Sequence, residues 1–393
     1  MGEITGTWRT RMEAHAKALI AQQHAVILAI ESSCDETAAA VVADGREVRS
    51  SVIASQIPLH AMYGGVVPEI ASRKHVESVD PVVKEALSKA NMTLGQVDAV
   101  AVTYGPGLVG ALLVGVAYAK AIAYAEDKPL IPVNHIEGHV SANYIAHPDL
   151  KPPFVCLIAS GGHSHIVRVN DYGSYTLLGQ TMDDAAGEAF DKAARVLNLP
   201  YPGGPLLDRL SKEGNPLALP LPHVKISGRY DYSFSGLKTA LINRVHAMRQ
   251  RGEDIPAADI AASFQHAVVE MLSDKAVLAA VETGAKTVAL AGGVASNSGL
   301  RAAMQEKCDR HHLKLVMPPP ILCTDNAAMI GSAAFYRLMK GELADLDLNA
   351  CPSLRLVYSF EHNYDKCCDI LNQVAKNVIF VTIGPKQLST GCG

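Results

Sequence analysis

Short apolar runs alternate along the chain with segments of helical periodicity and with polar turns. Runs typical of buried strands occupy residues 25–30, 38–42, 97–103, 130–133, 154–158, 166–169 and 287–291. Amphipathic or apolar segments, such as residues 75–90 and 108–125, lie between them and are typical of helices. Strands that alternate with helices predict an α/β fold.

One unit of this pattern occurs twice: a strand, a turn of small and polar residues, and a return strand. The first turn has the sequence ESSCDET at residues 31–37, and the second has ASGGHSH at residues 159–165. Backbone N–H groups in such a turn can surround a phosphate, although most single turns of this kind bind nothing. Two copies about 130 residues apart predict two related lobes that hold a nucleotide between them. This arrangement resembles the architecture of actin, the sugar kinases and the heat-shock chaperone ATPases.

Composition narrows the class of protein. The chain has 393 residues, of which 49% are hydrophobic and 19% are charged, so it can bury more than one core. The formal charge of −4 gives no global basic field, and an RNA partner would therefore have to meet a local patch. The eight cysteines form no secreted disulfide framework, which favours a reducing compartment.

The N-terminal segment, residues 1–24, is interpreted as a tail before the first strand. It lacks the apolar stretch of a secretory signal, and Glu3 and Glu13 are unusual in a mitochondrial presequence. The apolar segment 108–119 is interrupted by Gly110 and Gly115 and is too short to cross a bilayer. We therefore expect a cytoplasmic protein without a membrane anchor, in preference to one of the mitochondrial matrix.

The strongest candidate for chemistry is the sequence NHIEGH at residues 134–139. If a helix begins there, His135 and His139 lie four residues apart on one face and can bind one metal ion. Glu137 has the wrong spacing for the zinc-protease motif His-Glu-x-x-His. Asp325, at the start of an apolar helix, is either a helix cap or the carboxylate that completes the site. The alternative is that both histidines only pack a helix start.

Glycine-rich turns and acidic residues supply further candidate binding positions. Residues 105–110 have the spacing Gly-x-Gly-x-x-Gly, but the acids Glu126 and Asp127 come before the next strand, whereas an acid that binds ribose should follow it, which argues against NAD. Asp184, Glu188 and Asp191 recur at helical spacing and suit ribose hydroxyls, a metal or simply solvent. Asn297 follows a Gly-Gly turn, where it can contact a nucleoside or cap a helix.

A basic helix follows the sequence SFSGLK at residues 233–238. It carries Arg244, Arg249 and Arg251 and is the best local candidate for an RNA contact, although a solvated helix is the simpler interpretation.

Nine of these motifs together resemble a known family. They are residues 31–37 (ESSCDET), 68–73 (PEIASR), 105–107 (GPG), 134–139 (NHIEGH), 160–163 (SGGH), 187–192 (GEAFDK), 233–238 (SFSGLK), 292–297 (GGVASN) and 323–326 (CTDN). In this order they resemble the tRNA N6-adenosine threonylcarbamoyltransferase family, in its bacterial or organellar branch. The resemblance runs from about residue 26 to residue 356.

The resemblance implies a reaction and a set of site residues. Threonylcarbamoyl-AMP would donate its threonylcarbamoyl group to the N6 amine of the adenosine beside the anticodon, with release of AMP. His135, His139 and Asp325 match the family's metal ligands, and the metal would be iron, which is favoured, or zinc. Asp35 and Glu36 match an acidic pair needed for activity, and one of them is a candidate general base. The positions that match the adenylate site are Ile158, Ala159, Ser160, Gly161, Gly162, Asp191, Gly204, Asp208 and Asn297.

The same resemblance implies lobes, partners and alternatives. Residues 25–134, completed by 324–356, would form the first lobe and residues 135–323 the second, with a C-terminal extension at 357–393. Expected partners are tRNA, an upstream adenylate-forming enzyme and, in bacteria, a fold-related subunit and a small ATPase. The alternatives are a metallopeptidase, a kinase-like ATPase and a non-catalytic scaffold of a modification complex. A scaffold would be expected to lose the histidine pair and Asp325, and this chain retains all three.

Overall fold

The protein contains two five-stranded mixed sheets with helices packed around them. The computed structural model describes residues 2–222, 226 and 228–357. The strands are β1 (Val26–Glu31), β2 (Glu36–Ala43), β3 (Glu47–Ser55), β4 (Ala99–Gly105), β5 (Leu130–Asn134), β6 (Phe154–Ala159), β7 (Ser164–Asp171), β8 (Ser174–Gln180), β9 (Thr287–Ala291) and β10 (Lys314–Val316). The helices are α1 (Gly2–Gln22), α2 (Ile57–Ala61), α3 (Pro68–Lys89), α4 (Val109–Ala125), α5 (His135–Ala146), α6 (Ala186–Val196), α7 (Gly203–Ser211), α8 (Ser235–Gln250), α9 (Ala257–Thr283), α10 (Ser298–Arg310), α11 (Pro320–Cys323) and α12 (Ala327–Met339).

The two sheets follow the same plan, with strand orders β3-β2-β1-β4-β5 and β10-β9-β6-β7-β8. In the first sheet, β1 pairs antiparallel with β2 and parallel with β4. In the second sheet, β6 pairs antiparallel with β7 and parallel with β9. Each central strand is fully buried, which explains why both read as unbroken apolar runs in the sequence. The predicted two-lobed α/β fold is confirmed.

Helices α5 and α12 pack against each other between the sheets; α5 carries His135 and His139, and Asp325 lies just before α12. A Cβ on Gly138 of α5 would lie 2.7 Å from Ile330 Cδ1 of α12, so the glycine permits the close approach of the two helices. On the other face of the first sheet, α3 and α4 cover a core that includes Leu28 of β1 and Val100 and Val102 of β4, all three completely buried.

The N-terminal segment was interpreted as a tail, but residues 2–22 form the helix α1. Trp8 is fully buried in the first-lobe core, and its indole Nε1 donates a hydrogen bond to the Ala123 carbonyl at 3.2 Å. Met12, Ala16 and Leu19 are also buried and recur every three or four residues. This apolar stripe is only one residue wide, and charged residues lie on both sides of it. The periodicity of the segment therefore did not predict a helix.

Helices long and apolar enough to cross a membrane are absent from the part of the chain that the structure describes. Residues 358–393, which make up nearly all of the predicted C-terminal extension, lie outside the described residues. The lobe boundaries stay a proposal, in which α12 belongs to the first lobe because it packs on β1 and β2.

Candidate active site

The histidine pair lies at the first turn of α5, where strand β5 ends. The Asn134 side-chain oxygen accepts a hydrogen bond from the Ile136 N–H at 2.9 Å and so caps the helix. His135 and His139 are therefore one helical turn apart, with ring centroids 4.7 Å from each other. The predicted helix start at these residues is present.

Asp325 joins this pair from the residue before the cap of α12. The cap itself is Asn326, whose side-chain oxygen accepts a hydrogen bond from the Met329 N–H at 2.9 Å. Asp325 Oδ1 lies 3.4 Å from His135 Nε2 and 3.4 Å from His139 Nε2. Asn326 therefore caps the helix in place of Asp325, and the Asp325 carboxylate faces both imidazoles.

The three side chains fit a divalent metal ion. Their candidate ligand atoms all lie within 4.8 Å of one another. His139 is only 1% exposed, yet among the described residues its Nδ1 has no hydrogen-bond partner and its Nε2 has only the Asp325 carboxylate nearby, at 3.4 Å and without hydrogen-bond geometry. Two ligand atoms that are each about 2.1 Å from an ion at a tetrahedral angle lie roughly 3.4 Å apart, which matches the distances from Asp325 Oδ1 to the imidazoles. Two imidazoles and one carboxylate suit both iron and zinc.

Burial and charge set the protonation of this cluster. Burial opposes ionisation of Asp325, but the adjacent imidazoles, His135 foremost, lower the pKa of its carboxyl well below the usual range. Burial lowers the pKa of His139 and keeps its imidazole neutral. Burial also opposes protonation of His135, but Asp325 and Glu31 outweigh it and raise its pKa well above the ordinary value. A metal ion therefore has to displace a proton from His135.

Glu31 orients His135 from behind. Its Oε2 lies 3.0 Å from His135 Nδ1 and accepts a hydrogen bond from the Thr103 hydroxyl at 2.6 Å. The Ser33 hydroxyl is also 3.1 Å from His135 Nδ1. A buried carboxylate on Nδ1 leaves Nε2 directed at Asp325 and is the usual support of a metal-binding histidine.

This cluster opens onto a cleft of about 760 Å³ between the two sheets. His135 and Asp325 line its floor, and Asp35 lines it from the first hairpin turn. Ser160, Gly161 and Gly162 line it from the second hairpin turn, opposite Asp35. The two repeated turns therefore face one cavity that also contains the candidate metal ligands.

The second turn is shaped to bind an anion. Within the described residues, the N–H groups of Gly161 and Gly162 donate to no other group, whereas the Ser160 N–H bonds to the His163 carbonyl at 2.8 Å. Helix α6 approaches from behind, and a Cβ on Gly187 would lie 2.8 Å from both the Ser160 carbonyl oxygen and Gly161 Cα. Two adjacent free N–H groups on a turn fixed in this way can bind phosphate oxygens.

The two acidic residues of the first turn, Asp35 and Glu36, have different surroundings. Asp35 is buried and lines the cleft. Glu36 begins β2, and its carboxylate accepts a hydrogen bond from the Ser55 hydroxyl at 3.1 Å. Burial, followed by the negative charges of Asp325 and Asp35, raises the pKa of Glu36 to about 9. Glu36 therefore keeps its proton at neutral pH, which is unsuitable for a general base.

The remaining predicted adenylate positions surround the second-lobe side of the cleft or lie behind it. Asp191 lines the cleft, and its Oδ1 accepts hydrogen bonds from the Gly203 and Gly204 N–H groups at 2.8 and 3.1 Å. Burial raises the pKa of Asp191. Ile158 and Ala159 are the buried last residues of β6. Their predicted role in substrate binding stays a prediction.

Asp208 and Asn297 are engaged in contacts within the protein. Asp208 Oδ1 accepts hydrogen bonds from the Ser298 N–H at 3.2 Å and the Ser298 hydroxyl at 2.8 Å. Asn297 caps α10 through the Leu300 N–H and donates from Nδ2 to Gln265 at 2.7 Å. These bonds hold α10 against α7 and α9, and contact with an adenylate remains a prediction for both residues.

Asp184 does not share a helix face with Glu188 and Asp191, because α6 begins only at Ala186. Its carboxylate instead pairs with Lys192 at 2.9 Å and Lys238 at 2.8 Å. The prediction that Asp184 shares a helix face with Glu188 and Asp191 was therefore wrong.

Sequence reasoning missed the residues whose roles depend on distant parts of the chain. Glu31 belongs to the first turn motif, but the sequence assigned no role to it. Its neighbours Thr103 and His135 come close only when β1 pairs with β4. Tyr201, Lys192 and Arg195 also line the cleft from the second lobe; the sequence assigned no role to them, although Lys192 belongs to one of the nine motifs.

Comparison with known proteins identifies the family. The family model described as tRNA N6-adenosine threonylcarbamoyltransferase matches residues 47–332. A Clostridium perfringens protein with that name is 58% identical over 332 residues, which are 84% of this chain and 98% of the relative. A Clostridioides difficile protein with the same name is 57% identical over the same shares of both chains.

Solved structures agree on the fold. HypF from T. kodakarensis has a TM-score of 0.56 at 16% identity, over 82% of this chain and 49% of HypF. A full-length HypF in a phosphate- and nucleotide-bound form has a TM-score of 0.55 at 16% identity, over 81% of this chain and 47% of that one. At this identity the likeness concerns the arrangement of the sheets and helices alone.

Proposed function

Because the chain belongs to the tRNA N6-adenosine threonylcarbamoyltransferase family, we propose that its cleft binds threonylcarbamoyl-AMP and passes the threonylcarbamoyl group to tRNA. The acceptor is the N6 amine of the adenosine beside the anticodon in tRNAs that read codons starting with A. The observation that carries this proposal is the single cleft shared by the His135–Asp325 pair and by both hairpin turns. A mixed anhydride is already activated, so the enzyme has to position and polarise it and needs no covalent nucleophile.

In this proposal, His135, His139 and Asp325 hold one divalent ion per subunit, with Fe²⁺ favoured and Zn²⁺ as the alternative. The support is the convergence of their ligand atoms and the unpartnered nitrogens of His139. An ion held by these three residues would supply positive charge for polarising a carbonyl or binding the threonyl arm of the donor. Glu31 fixes the tautomer of His135, as its contact with Nδ1 suggests.

The second-lobe turn binds the donor's phosphate in this scheme. The free N–H groups of Gly161 and Gly162 donate to its oxygens, and Ser160 belongs to the same turn. As AMP departs, the phosphate gains negative charge, and these donors stabilise it. We assign the adenosine to Ile158, Ala159, Asp191, Gly204, Asp208 and Asn297. Asp191 lines the cleft and accepts a hydrogen bond from the Gly204 N–H, and the other positions are assigned from the family resemblance alone.

We assign proton acceptance to Asp35. The N6 nitrogen forms a bond to the carbamoyl carbon while the bond from that carbon to the phosphate oxygen breaks. AMP leaves with the electron pair, and the amine proton passes to the Asp35 carboxylate. Asp35 is favoured over Glu36 because it lines the cleft, while burial and neighbouring carboxylates raise the pKa of Glu36 to about 9.

The wider setting follows from the family and is proposed with the same reaction. An adenylate-forming enzyme supplies the donor, and a fold-related subunit and a small ATPase assist if the source is bacterial. We propose the cytoplasm as the compartment.

Product analysis tests the reaction. Unmodified tRNA is incubated with threonine, bicarbonate, ATP, the adenylate-forming enzyme and this protein, with and without helper proteins, and its nucleosides are separated. Wild type is expected to yield threonylcarbamoyladenosine. Asp35→Asn is expected to lower the single-turnover rate by about 100-fold, and Glu36→Gln by less than 10-fold. Absence of product under both conditions would contradict the transferase proposal, and a larger loss in Glu36→Gln would contradict the choice of base.

A further inference from the structure

The rim of the cleft carries an exposed aromatic residue on the first lobe. Residues 62–66, here called the rim loop, connect α2 to the segment before α3, and Gly64, Gly65 and Val66 line the cleft. Tyr63 and its neighbour Met62 point outward, with 58% and 72% of their surfaces exposed. Tyr63 therefore presents its ring to solvent directly beside residues that line the cleft, where it is available to contact a ligand.

The rim loop has a defined backbone. The carbonyl of His60 accepts hydrogen bonds from the Tyr63 N–H at 3.0 Å and the Gly65 N–H at 3.2 Å. The imidazole of His60 is fully buried, and its Nδ1 accepts from the Val67 N–H at 3.3 Å. The exposed ring of Tyr63 is therefore presented on a turn that is already ordered, which lowers the entropy cost of binding.

Two arginines extend from the opposite side of the rim. Arg195 Nη2 donates a hydrogen bond across the cleft to the Gly64 carbonyl at 3.0 Å. Arg249 of α8 donates from Nη2 to the carbonyl of Val196, the residue next to Arg195, at 2.9 Å. Within the described residues, neither guanidinium forms a salt bridge with a carboxylate, although the charge of Arg195 acts on the nearby Asp191. Arg251, two residues further on, differs because Glu253 neutralises it at 2.5 Å.

We propose that Tyr63, Arg195 and Arg249 form the surface that receives the single-stranded anticodon loop of the acceptor tRNA. The Tyr63 ring stacks on an unpaired base at the rim of the cleft, and the two guanidinium groups contact backbone phosphates. This inference rests on the proposed transfer to tRNA and names the contacts that bring the adenosine to the cleft. RNA is favoured as the occupant because two exposed guanidinium groups without a salt bridge can pair with backbone phosphates, and an exposed ring beside them can stack on an unpaired base.

The role of Tyr63 is tested by changing the ring in steps. We expect Tyr63→Ala to raise the KM for tRNA about 10-fold with a small change in kcat, as the loss of one stacked base predicts. Tyr63→Phe keeps the ring and is expected to bind tRNA like wild type. Tyr63→Leu keeps apolar surface without a flat ring and is expected to behave like Tyr63→Ala. Wild-type KM in Tyr63→Leu would overturn base stacking and would indicate apolar contact with a protein instead.

The arginines are tested through the salt dependence of binding. Filter binding of unmodified tRNA is measured between low and moderate salt for Arg249→Gln and for its matched control, Arg251→Gln. We expect Arg249→Gln to reduce the slope of log K against log salt by roughly 0.7, the value for one phosphate contact on a single strand. Arg251→Gln is expected to leave the slope unchanged, because Glu253 already neutralises that residue. Equal slopes in the two variants would overturn the proposed surface.

These measurements separate this inference from the proposed reaction. Wild type that binds tRNA through Tyr63 but forms no modified nucleoside would refute the reaction and leave the surface supported. Wild type that modifies tRNA, with Tyr63→Ala and Arg249→Gln equally active at limiting tRNA, would refute the surface alone.

Discussion

The glycines of the second turn allow the phosphate site to be tested without disturbing the fold. A Cβ added at Gly161 or Gly162 would have no protein atom within 4 Å beyond its own chain neighbours, and neither glycine has a left-handed φ. Gly161→Ala and Gly162→Ala should therefore leave the free energy of unfolding unchanged or raise it by about 0.4–1 kcal/mol. Any loss of binding in these variants can then be attributed to a ligand rather than to unfolding.

The expected loss of binding follows from the free N–H groups. A phosphate oxygen bound to one of these groups lies about 2.9 Å from the nitrogen, so the new methyl group crowds it and moves it from its best position. Hydrogen bonds to a charged group contribute about 1.5–3 kcal/mol each. Loss of one such bond raises the Kd by roughly 10- to 100-fold.

Calorimetric titration with AMP and with a stable donor analogue measures this effect, alongside thermal unfolding of each variant. Gly95→Ala is the matched control, since its Cβ also meets only one distant atom, Thr93 Oγ1 at 3.9 Å, and it does not line the cleft. The control is expected to bind both ligands like wild type. Wild-type Kd values in Gly161→Ala and Gly162→Ala, with both variants folded, would refute the assignment of the phosphate to this turn.

Two further predictions concern the first lobe. Trp8→Ala should lower the free energy of unfolding by about 3–5 kcal/mol in a denaturant titration, because the indole is fully buried and bonded to the Ala123 carbonyl. Glu31→Gln keeps the shape of the side chain but removes the charge behind His135, and it should weaken metal binding by roughly 10- to 100-fold in a chelator competition.

Exposed ion pairs provide the controls for both. Arg11 lies on the same helix as Trp8 and forms a surface ion pair with Asp127. Arg11→Ala breaks this pair and should change the free energy of unfolding by less than about 1 kcal/mol. Glu69→Gln removes an exposed carboxylate far from the histidines in sequence and should leave the metal affinity unchanged. A stable Trp8→Ala protein would mean that α1 is not part of the core, and unchanged metal affinity in Glu31→Gln would remove its supporting role.

Local sequence patterns predicted those parts of the site that lie within single elements. The four-residue spacing of His135 and His139 required only that a helix begin after β5, and the Asn134 cap ensures this. The repeated strand-turn-strand unit likewise predicted both hairpins, because apolar runs on either side of a polar turn determine them locally. Asp325 was a candidate from the start of its helix, but its proximity to the histidines rested on family resemblance.

Contacts between distant segments could not be predicted in this way. The role of Glu31 depends on residues 72 and 104 positions later in the chain, Thr103 and His135. The bond from Arg195 to Gly64 joins residues 131 positions apart in opposite lobes. The packing of Trp8 against α4 was missed because most other residues of α1 are polar, so its narrow apolar stripe gave a weak periodic signal.

The central claim is that a metal held by the histidine pair and Asp325 supports transfer to tRNA. The direct test combines metal analysis with nucleoside analysis of wild type, His139→Ala and His311→Ala, the last being an exposed histidine outside the cleft. We predict one equivalent of iron or zinc and the threonylcarbamoyl nucleoside for wild type and His311→Ala, and loss of both in folded His139→Ala. Full transfer by metal-free His139→Ala would contradict the account.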